Sequence, residues 1–467
     1  MRSGNLYELL AARFPRDRRA PAFILSDGRE ISYGAVEAGV ARIAGHLLAQ
    51  GVAAGDRIAV QTEKSPEAVM LYLATLKVGA LFVPLNTAYT RAEVDYFLGD
   101  AEPRLFVTDA RAFAAEAEHA ATHDAIFPSA ATDLAALIYT SGTTGRSKGA
   151  MLSHGALADN ALALNRIWGF TERDVLLHAL PIFHVHGLFV ALHSAMLCGA
   201  PMIWLPKFDD AEVLRALERA TVMMGVPTFY TRLLDNPEFT RARAANVRVF
   251  ISGSAPLLES TFKAFEERTG KRILERYGMS EAIIITSNPL EGERIAGSVG
   301  YPLPGVSLRI DGGETGIIQI KGPSVFSGYW RNPQKTREDF ADGWFITGDV
   351  GRQDADGRVW INGRAKDLII SGGYNVYPKE IELVLDDFPG VTESAVIGVP
   401  HPDFGEAVVA VVMGEGEEAE MIAAARERLA AFKAPKRVFF VDELPRNAMG
   451  KVQKNVLRAH YANAFAT

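Results

Sequence analysis

Short apolar segments alternate with amphipathic segments along the first quarter of the chain, and this alternation restricts the fold more than any other feature. Residues 57–61, 80–84 and 105–108 are short and apolar, as expected of buried strands. Residues 31–51 and 66–78 instead place apolar side chains at helical spacing. Strands that alternate with helices in this way favour a parallel sheet covered by helices.

The same alternation returns after residue 140, and the pattern then changes twice. Strands are predicted within residues 175–252, whereas residues 297–364 contain short strands separated by Gly and Asp turns. The sequence therefore predicts an α/β fold, with a large N-terminal domain of helix-covered sheets over residues 1–364 that includes a small β-rich subdomain at about 297–364. A hinge at residues 365–367 then leads to an α+β C-terminal domain over residues 368–467.

The 467-residue chain has the composition of a soluble globular protein, with 48% hydrophobic and 22% charged residues. Its net charge of −7 argues against nucleic acid or an anionic membrane as the main partner. A single cysteine, Cys198, leaves no internal disulfide and no cysteine-rich metal site. The N-terminus lacks the apolar segment of a signal peptide, and His, Gly and Pro interrupt the longest apolar run. These features predict a cytoplasmic protein without a membrane span.

A loop rich in Ser, Thr and Gly lies at residues 140–149, directly after the apolar residues 137–139. Small residues let backbone N–H groups and hydroxyls converge on a polyphosphate, and Lys148 adds a positive charge. The Walker spacing is absent, because Ser147 stands where that motif requires Gly. A flexible linker is the alternative interpretation, but flexible linkers rarely follow a buried strand so closely.

Five further segments carry residue types suited to chemistry on a nucleotide. In chain order they are Pro181–Gly187, Glu275–Glu281, Thr347–Asp349, Asn362–Asp367 and Pro445–Lys451. Together with the loop, these segments resemble the motifs of the acyl-adenylate-forming enzymes, which include acyl-CoA synthetases, adenylation domains and luciferases. They occur in that family's order and cover essentially the whole chain, so the chain is identified as a member of it.

The resemblance implies a reaction in two steps. A carboxylate first attacks the α-phosphate of ATP and expels pyrophosphate, and the thiol of coenzyme A then converts the acyl-adenylate into a thioester and AMP. ATP, Mg²⁺ and coenzyme A are therefore the expected cofactors and co-substrates. The family's C-terminal domain is mobile and rotates between the two steps about a hinge residue, which corresponds to Lys366 here.

The resemblance also assigns the nucleotide site. Lys148 and the loop would hold the β- and γ-phosphates, while Glu281 and Thr144 would bind Mg²⁺. Tyr277 would stack on adenine, and Asp349 would accept hydrogen bonds from the ribose hydroxyls. The full set implied to contact ATP or AMP is Thr140, Ser141, Gly142, Thr143, Thr144, Gly145, Lys148, Gly253, Tyr277, Gly278, Met279, Ser280, Asp349, Arg364 and Lys451.

Catalysis and thioester formation involve further residues by the same resemblance. Lys451 on the C-terminal domain would neutralise the reacting phosphate, with Glu281 and His184 as the other catalytic candidates. Relatives are switched off by acetylation of this lysine, which removes its charge, so the resemblance also implies a lysine acetyltransferase as a possible partner that acts on Lys451. After domain rotation a Gly-rich segment would admit the pantetheine thiol, although its glycines could instead form a simple hairpin turn. The residues of that segment are Gly372, Gly373 and Tyr374.

Taken without the resemblance, several of these residues have ordinary structural interpretations. Glu281 could be a carboxylate at a helix N-terminus, and Tyr277 could belong to the core. Asp349 could form a Gly-Asp turn, and Lys451 could be a solvated surface charge. Their common order along the chain favours the functional interpretation.

Arg276 predicts which acid is activated. It precedes the Tyr-Gly-Met element, where many relatives carry a small residue, and a guanidinium there suits a second carboxylate. The surrounding sequence resembles the malonyl-CoA synthetase branch, so malonate or methylmalonate is the predicted substrate. His184, Ser252 and Met279 are the other candidate lining residues of the acid pocket. An ion pair of Arg276 with Glu275 or Asp349 is the alternative, and it would leave no free guanidinium.

Three functions therefore remain to be distinguished. The leading prediction is a dicarboxylate–CoA ligase. The alternatives are an adenylation enzyme for a short or medium-chain monocarboxylic acid, or one that loads a separate carrier protein. A non-enzymatic protein that retains the fold is disfavoured by the presence of Lys148, Glu281, Asp349 and Lys451.

Overall fold

The computed structural model describes residues 4–140, 147–447 and 450–465, and its strands and helices alternate as the apolar pattern predicts. Before residue 169 the elements are α1 Leu6–Ala11, β1 Pro21–Leu25, β2 Glu30–Ser32, α2 Tyr33–Ala49, β3 Arg57–Val60, α3 Pro66–Lys77, β4 Leu81–Pro84, α4 Arg91–Ala101, β5 Leu105–Val107, α5 Ala110–Ala117, β6 Leu134–Thr140, β7 Lys148–Ser153 and α6 His154–Trp168.

The middle of the chain continues with β8 Leu176–His178, a π-helix His186–Ala191, α7 Leu192–Met196, β9 Met202–Trp204, α8 Asp210–Ala216, β10 Val222–Gly225, α9 Pro227–Asp235, β11 Val249–Ser252, α10 Glu259–Thr269, β12 Leu274–Tyr277, β13 Thr286–Ser287, β14 Ser298–Pro302, β15 Ser307–Asp311, β16 Gly316–Lys321, α11 Pro333–Glu338, β17 Phe340–Ala341, β18 Trp344–Gln353 and β19 Val359–Arg364.

The last part contains a 3₁₀ helix Ala365–Asp367, β20 Ile369–Ser371, β21 Tyr374–Val376, α12 Pro378–Asp386, β22 Val391–His401, β23 Gly405–Gly414, α13 Glu418–Arg428, β24 Arg437–Val441 and α14 Lys454–His460. Within the described residues these strands form three sheets. The predicted α/β fold class is confirmed by this architecture.

The largest sheet has a parallel centre and antiparallel ends. Strands β12, β11, β10, β8, β9 and β1 run parallel in that order. β2 adds an antiparallel edge on one side, and β13 and β14 continue the sheet on the other. The short strands of residues 297–364 are thus hydrogen-bonded to the parallel sheet through β13 and β14, rather than separated from it. This connection fixes β18 and β19 relative to the carboxyl ends of β11 and β12.

A second sheet, in the order β5-β3-β4-β6-β7, supplies the strand before the Ser/Thr/Gly loop. β6 and β7 are antiparallel, and Thr140 lies opposite Lys148. Helix α3 follows β3 and has buried residues on nearly every face, because its sequence is apolar all round. Ser65 caps it by accepting a hydrogen bond from the Ala68 amide, and Pro66 occupies its first turn.

The C-terminal domain is a sheet with an apolar cluster on each face. Alternate residues of β23 point in opposite directions, as the period of a strand requires. Val408 and Val412 pack beneath α12 and α13, whereas Val409 and Val411 pack on the side of α14. Within the described ranges, no helix is both long and apolar enough to cross a membrane.

Replacement of Phe265 by Ala should destabilise the N-terminal domain by about 3–5 kcal/mol, because it leaves a cavity in a closed aromatic cluster. Phe265 is 0% exposed, and its ring lies 4.9 Å from Phe250 and 5.5 Å from both Tyr230 and Phe239. Thermal and denaturant unfolding of the variant measures the loss. The matched control is Phe106→Ala, since Phe106 is 38% exposed. Equal losses for the two variants would contradict the assignment of this core.

Candidate active site

Arg276 lies at the carboxyl end of the parallel strand β12 and is 4% exposed. Its Nε and Nη2 atoms, which form one edge of the guanidinium, are buried and have no hydrogen-bond partner among the described residues. The alternative of an ion pair with Glu275 or Asp349 is wrong. Glu275 instead accepts a hydrogen bond from the Leu257 amide at 3.2 Å, and Asp349 pairs elsewhere. A buried cation without a partner is costly, so this edge is suited to binding an anion.

Gly253 makes room for this guanidinium. It follows β11, which pairs in parallel with β12, so its backbone faces the Arg276 side chain. A Cβ atom at Gly253 would lie 2.4 Å from Cζ of Arg276. Any larger residue at this position would displace the guanidinium, so the observed position of Arg276 requires Gly253. Its predicted contact with the nucleotide stays a prediction.

Two histidines from the Pro181–Gly187 segment face the same region. The His186 amide donates to Nδ1 of His184 at 3.3 Å, which makes Nε2 the protonated nitrogen of a neutral His184 ring. Nδ1 of His186 lies 3.2 Å from Oγ of Ser254, and its Nε2 is buried without a partner. Oγ of Ser252, whose residue is 0% exposed, is also unpaired within the described chain. Several polar atoms in this region could therefore form hydrogen bonds to a ligand.

The charges in this region favour neutral histidines beside a cation. Burial lowers the pKa of His184 to about 3, and the nearby charges of Lys451 and Arg276 add to that effect. The pKa of His186 also lies well below its ordinary value, chiefly through burial and then through Arg276. Burial lowers the pKa of Arg276 to about 9, so it remains a cation at neutral pH. The pocket can therefore present one fixed positive charge and neutral hydrogen-bonding groups.

Asp349, Arg364 and Tyr277 form a second cluster on the other side of β12. Asp349 and Arg364 are direct partners in the antiparallel register of β18 and β19. Arg364 Nε forms an ion pair with Oδ1 of Asp349 at 2.6 Å, and the Tyr277 hydroxyl donates a hydrogen bond to Oδ2 at 2.5 Å. Asp349 is 3% exposed, and these two contacts fix the orientation of its carboxylate. Such a fixed carboxylate retains lone pairs that can accept further hydroxyl donors.

Glu281 is a third buried acid in the site. Its Oε1 accepts hydrogen bonds from Thr140 at 3.3 Å and from Tyr329 at 3.2 Å. Burial raises its pKa above the ordinary value, and the charge of Arg364 partly offsets that rise. Thr140 ends β6, so this bond joins the second sheet to the segment after β12.

The turn between Tyr277 and Ile285 is strained. Ile283 has φ of 60°, a conformation that is rare for a β-branched residue. A Cβ atom at Gly278 would lie 2.0 Å from the Ile283 carbonyl oxygen, so only Gly fits. Asn160 donates to the Ile284 carbonyl at 2.8 Å and holds the turn from α6. Strain that is held in place by its surroundings is typical of functional sites. Met279 and Ser280, also predicted to contact ligands, are half-buried in this turn.

Lys451 enters the site from the C-terminal domain. Its amide donates to Oδ1 of Asn447 at 3.0 Å, and the Asn447 amide donates to the Lys451 carbonyl at 2.9 Å. Arg446 bonds the Gly450 carbonyl and pairs with Glu393 of β22. Lys451 retains exposed surface, yet its pKa is lowered, first by desolvation and then by the charge of Arg364. Asn447 and Arg446 therefore hold the loop that carries Lys451.

The predicted CoA segment is a hairpin turn. Ser371 pairs with Tyr374, so Gly372 and Gly373 form a two-residue loop with φ of 58° and 82°. Tyr374 is 59% exposed and stacks on Phe432 with ring centroids 4.6 Å apart. The structural alternative for these glycines is thus observed, and their contact with CoA stays a prediction.

Lys366, the predicted hinge residue, lies in the 3₁₀ helix Ala365–Asp367 that joins β19 to the C-terminal domain. Its role as a hinge is untested and stays a prediction. Five residues predicted to hold ATP or Mg²⁺ lie outside the described residues, namely Ser141, Gly142, Thr143, Thr144 and Gly145.

Four contributors to the site were not among the sequence predictions: Tyr329, His186, Ser254 and Asn447. His186 belongs to a recognised segment, so its inclusion needed only the assumption that both histidines face inward. Tyr329 and Ser254 carry no signal in their spacing, because tertiary packing alone brings them to Glu281 and His186. Asn447 lies four residues before Lys451, and its capping bond depends on the shape of the turn.

Comparison with known proteins places this arrangement in a family. Residues 8–330 match the sequence profile of the AMP-binding enzymes, and residues 380–451 match the profile of the AMP-binding enzyme C-terminal domain. The chain belongs to the AMP-binding enzyme family. It is an acid–thiol ligase, an AMP-forming acyl-CoA synthetase, and it uses ATP, Mg²⁺ and CoA.

Relatives within the family include enzymes for different acids. The chain is 34% identical to a malonate–CoA ligase from Arabidopsis thaliana, over 99% of this chain and 90% of the relative. It is 35% identical to an indoleacetate–CoA ligase from Aromatoleum aromaticum, over 92% and 93% of the two chains. The crystal structure of ATP-bound MatB from Rhodopseudomonas palustris matches with a TM-score of 0.96 and 49% identity, covering 99% of this chain and 100% of that one.

Glu275 should make the stability of this enzyme depend on pH. Burial raises its pKa from 4.5 to about 7, and the Leu257 amide partly opposes that rise. The folded state therefore holds an extra proton between these two pH values, so the free energy of unfolding falls as the pH rises through that window. Glu275→Gln should remove this fall, which amounts to about 3 kcal/mol.

The measurement is the unfolding midpoint of the wild type and Glu275→Gln between pH 5 and pH 8. Glu267→Gln, at an exposed side chain of helix α10, is the control and should follow the wild type. Parallel pH profiles for wild type and Glu275→Gln would show that Glu275 is ionised throughout.

Proposed function

We propose that this AMP-binding enzyme is an ATP-dependent malonyl-CoA or methylmalonyl-CoA synthetase. The observation that carries the proposal is the unpaired Nε and Nη2 edge of Arg276, buried at the carboxyl end of β12. Two adjacent N–H donors on one edge of a guanidinium match the two oxygens of a carboxylate. The acid therefore carries a second carboxylate besides the one that reacts.

The geometry of the pocket supports a short diacid. In this proposal Arg276 binds the distal carboxylate, while neutral His184 and His186 donate or accept hydrogen bonds without adding charge. The other carboxylate then reaches the α-phosphate beside Lys451. Lys451, His184 and Arg276 interact electrostatically, as expected if one small molecule spans the space between them.

Selectivity follows from the cost of an empty pocket. A monocarboxylate such as acetate would leave the Arg276 guanidinium buried and unpaired. Sites that are built for a polar partner reject analogues without it by roughly 10⁴-fold. The malonate–CoA ligase from Arabidopsis thaliana, at 34% identity, supports this substrate class. An indoleacetate–CoA ligase at 35% identity shows why the acid must be tested directly.

The nucleotide would occupy the cluster of Asp349, Arg364 and Tyr277 and the region around Glu281. We assign the ribose hydroxyls to Asp349, with Arg364 and Tyr277 fixing its carboxylate, and the triphosphate to Thr140 and Lys148. Glu281 fits Mg²⁺, because Mg²⁺ is usually held by one or two carboxylates together with substrate phosphates. Bound there, Mg²⁺ would screen the phosphate charge.

Lys451 would serve only the first step. Its ammonium offsets the negative charge that develops at the α-phosphate as the carboxylate oxygen bonds to phosphorus and pyrophosphate leaves. Rotation about Lys366 would then withdraw Lys451 and bring the Gly372–Tyr374 hairpin to the acyl-adenylate. The CoA sulfur would attack the acyl carbon, and AMP would depart with the electron pair of the broken bond.

Arg276→Met should lower kcat/KM for malonate about 10³-fold or more, while the KM for ATP changes little, because the lost pair concerns the acid alone. CoA-thioester formation is measured with malonate, methylmalonate, acetate, butyrate and benzoate. Arg276→Lys is the matched variant, since it keeps the charge but loses the two-donor edge, and it should fall in between. Wild-type enzyme that converts a monocarboxylate better than malonate would overturn the role given to Arg276.

Lys451→Ala should abolish acyl-adenylate formation, measured as pyrophosphate release, yet largely spare thioester formation from a supplied acyl-adenylate. The reason is that the ammonium acts at the phosphate in the first step and is withdrawn in the second. Lys263→Ala, at an exposed lysine of α10, is the control. Equal loss of both steps would contradict domain rotation, and transfer to a carrier protein but not to free CoA would favour the carrier-loading alternative.

A further inference from the structure

Lys64 is a buried lysine for which the reaction described above has no use. It follows β3, is 8% exposed, and pairs with no carboxylate among the described residues. Its Nζ atom lies 2.9 Å from Nδ1 of His178 and donates to the carbonyls of His178 and Leu205, each at 2.7 Å. It also lies 4.2 Å from the centre of the Trp204 ring, which favours a cation.

Hydrogen-bond counting places one positive charge on Lys64 and His178 together. Nε2 of His178 lies 3.0 Å from the Gly187 carbonyl oxygen, so Nε2 must carry a proton. If the ring is neutral, Nδ1 is an acceptor, and Lys64 needs three protons for its three acceptors. If the ring is charged, Lys64 keeps two protons for the two carbonyls and accepts from Nδ1. Both distributions hold one charge and the same four hydrogen bonds.

Through Nε2 of His178, this pair contacts the backbone of the acid site at Gly187. The Gly187 carbonyl also accepts from the Leu192 amide, five residues on, which is the bond of the π-helix that begins at His186. A Cβ atom at Gly187 would lie 2.0 Å from the Pro181 carbonyl oxygen, so the backbone is tightly folded there. The two site histidines, His184 and His186, belong to this folded segment.

We propose that Lys64 and His178 are positioning residues for the acid site: they anchor the Gly187 carbonyl and so hold His184 and His186 against Arg276. Carbonyl groups at the carboxyl ends of β8 and β9 hold the ammonium in place. His178 contacts the ammonium through Nδ1 and the Gly187 carbonyl through Nε2, so the ring fixes the carbonyl relative to Lys64. Lys64 follows β3 of the second sheet, so the pair also joins the two N-terminal sheets at the site. The proposal rests on the acid site proposed above but not on the identity of the acid.

The first test separates the two ends of His178. In His178→Gln the side-chain amide reaches the position of Nε2 and can still donate to Gly187. In His178→Asn the amide reaches the position of Nδ1 and meets Lys64 but not Gly187. His178→Asn should therefore lower kcat/KM for the acid about 10- to 100-fold, while kcat/KM of His178→Gln should stay within about threefold of the wild-type value. The acid used is the one that the wild type converts fastest, and the KM for ATP should change less than about twofold in both.

The second test removes the charge with a matched control. Lys64→Met should lower kcat/KM for the acid by a factor similar to His178→Asn, with the KM for ATP unchanged. Lys77→Met is the control, because Lys77 is 4% exposed, ends helix α3, which begins two residues after Lys64, and lies beside Tyr7 away from the acid site. A merely structural role would affect the Lys77 variant equally, or would change acid and ATP kinetics together.

Equal effects of His178→Gln and His178→Asn, or no effect of either, would overturn the proposal. So would a loss in which the KM for ATP rises as much as that for the acid. If Lys64→Met does not fold, the two His178 variants alone test the proposal. Failure of the malonate proposal is visible separately, because it would appear as a different preferred acid in the wild type.

Discussion

The buried edge of Arg276, whose Nε and Nη2 atoms have no hydrogen-bond partner among the described residues, is the constraint on which the rest of this site depends. Arg276 is held at the end of a parallel strand, where a neighbouring glycine leaves space for it and two neutral histidines face it. Burial of an unpaired charge opposes folding, so the surrounding protein must stabilise this arrangement. It does so through the large apolar core between the two N-terminal sheets and through buried bonds such as that of Asn160 to the strained turn. Under the proposed function, this cost would be offset when a second carboxylate binds.

The distribution of charge divides the site into functional parts. Arg276 is fixed on β12, whereas Lys451 arrives on a loop of the C-terminal domain that Asn447 and Arg446 hold in shape. Lys64 is a third cation, and it is buried. In the proposals made above, Arg276 selects the acid, Lys451 serves the reacting phosphate, and Lys64 holds the backbone in place. The three cations differ in the partners that the described residues give them.

The sequence was sufficient for the parts of the fold that have local causes. Helix α2 begins after Ser32, which caps it, and α10 ends at Gly270 in a left-handed conformation, as the residue types predict. The family motifs also pointed to Arg276, Asp349 and Glu281. Their partners were not predictable, because Arg364 meets Asp349 through strand register. Likewise, Tyr329 meets Glu281 across 48 residues of chain. The continuation of the large sheet through the two-residue strand β13 had no signal at all, since so short a strand shows no period.

The pairing of Asp349 with Arg364 has a consequence for the timing of the reaction. Arg364 is the last residue of β19, and the next peptide begins the 3₁₀ helix that contains Lys366, the proposed pivot. On the far side of that helix, Arg458 of α14 bonds Asp367 at 2.6 Å. With a nucleotide bound as proposed, the ribose, the Asp349 carboxylate, the Arg364 guanidinium and the proposed pivot would form one continuous chain of contacts. By thermodynamic linkage, a nucleotide that binds one orientation of the C-terminal domain more tightly favours that orientation by the same factor. As ATP is converted to acyl-adenylate and then to AMP, the favoured orientation of the C-terminal domain would thus change with each bound nucleotide.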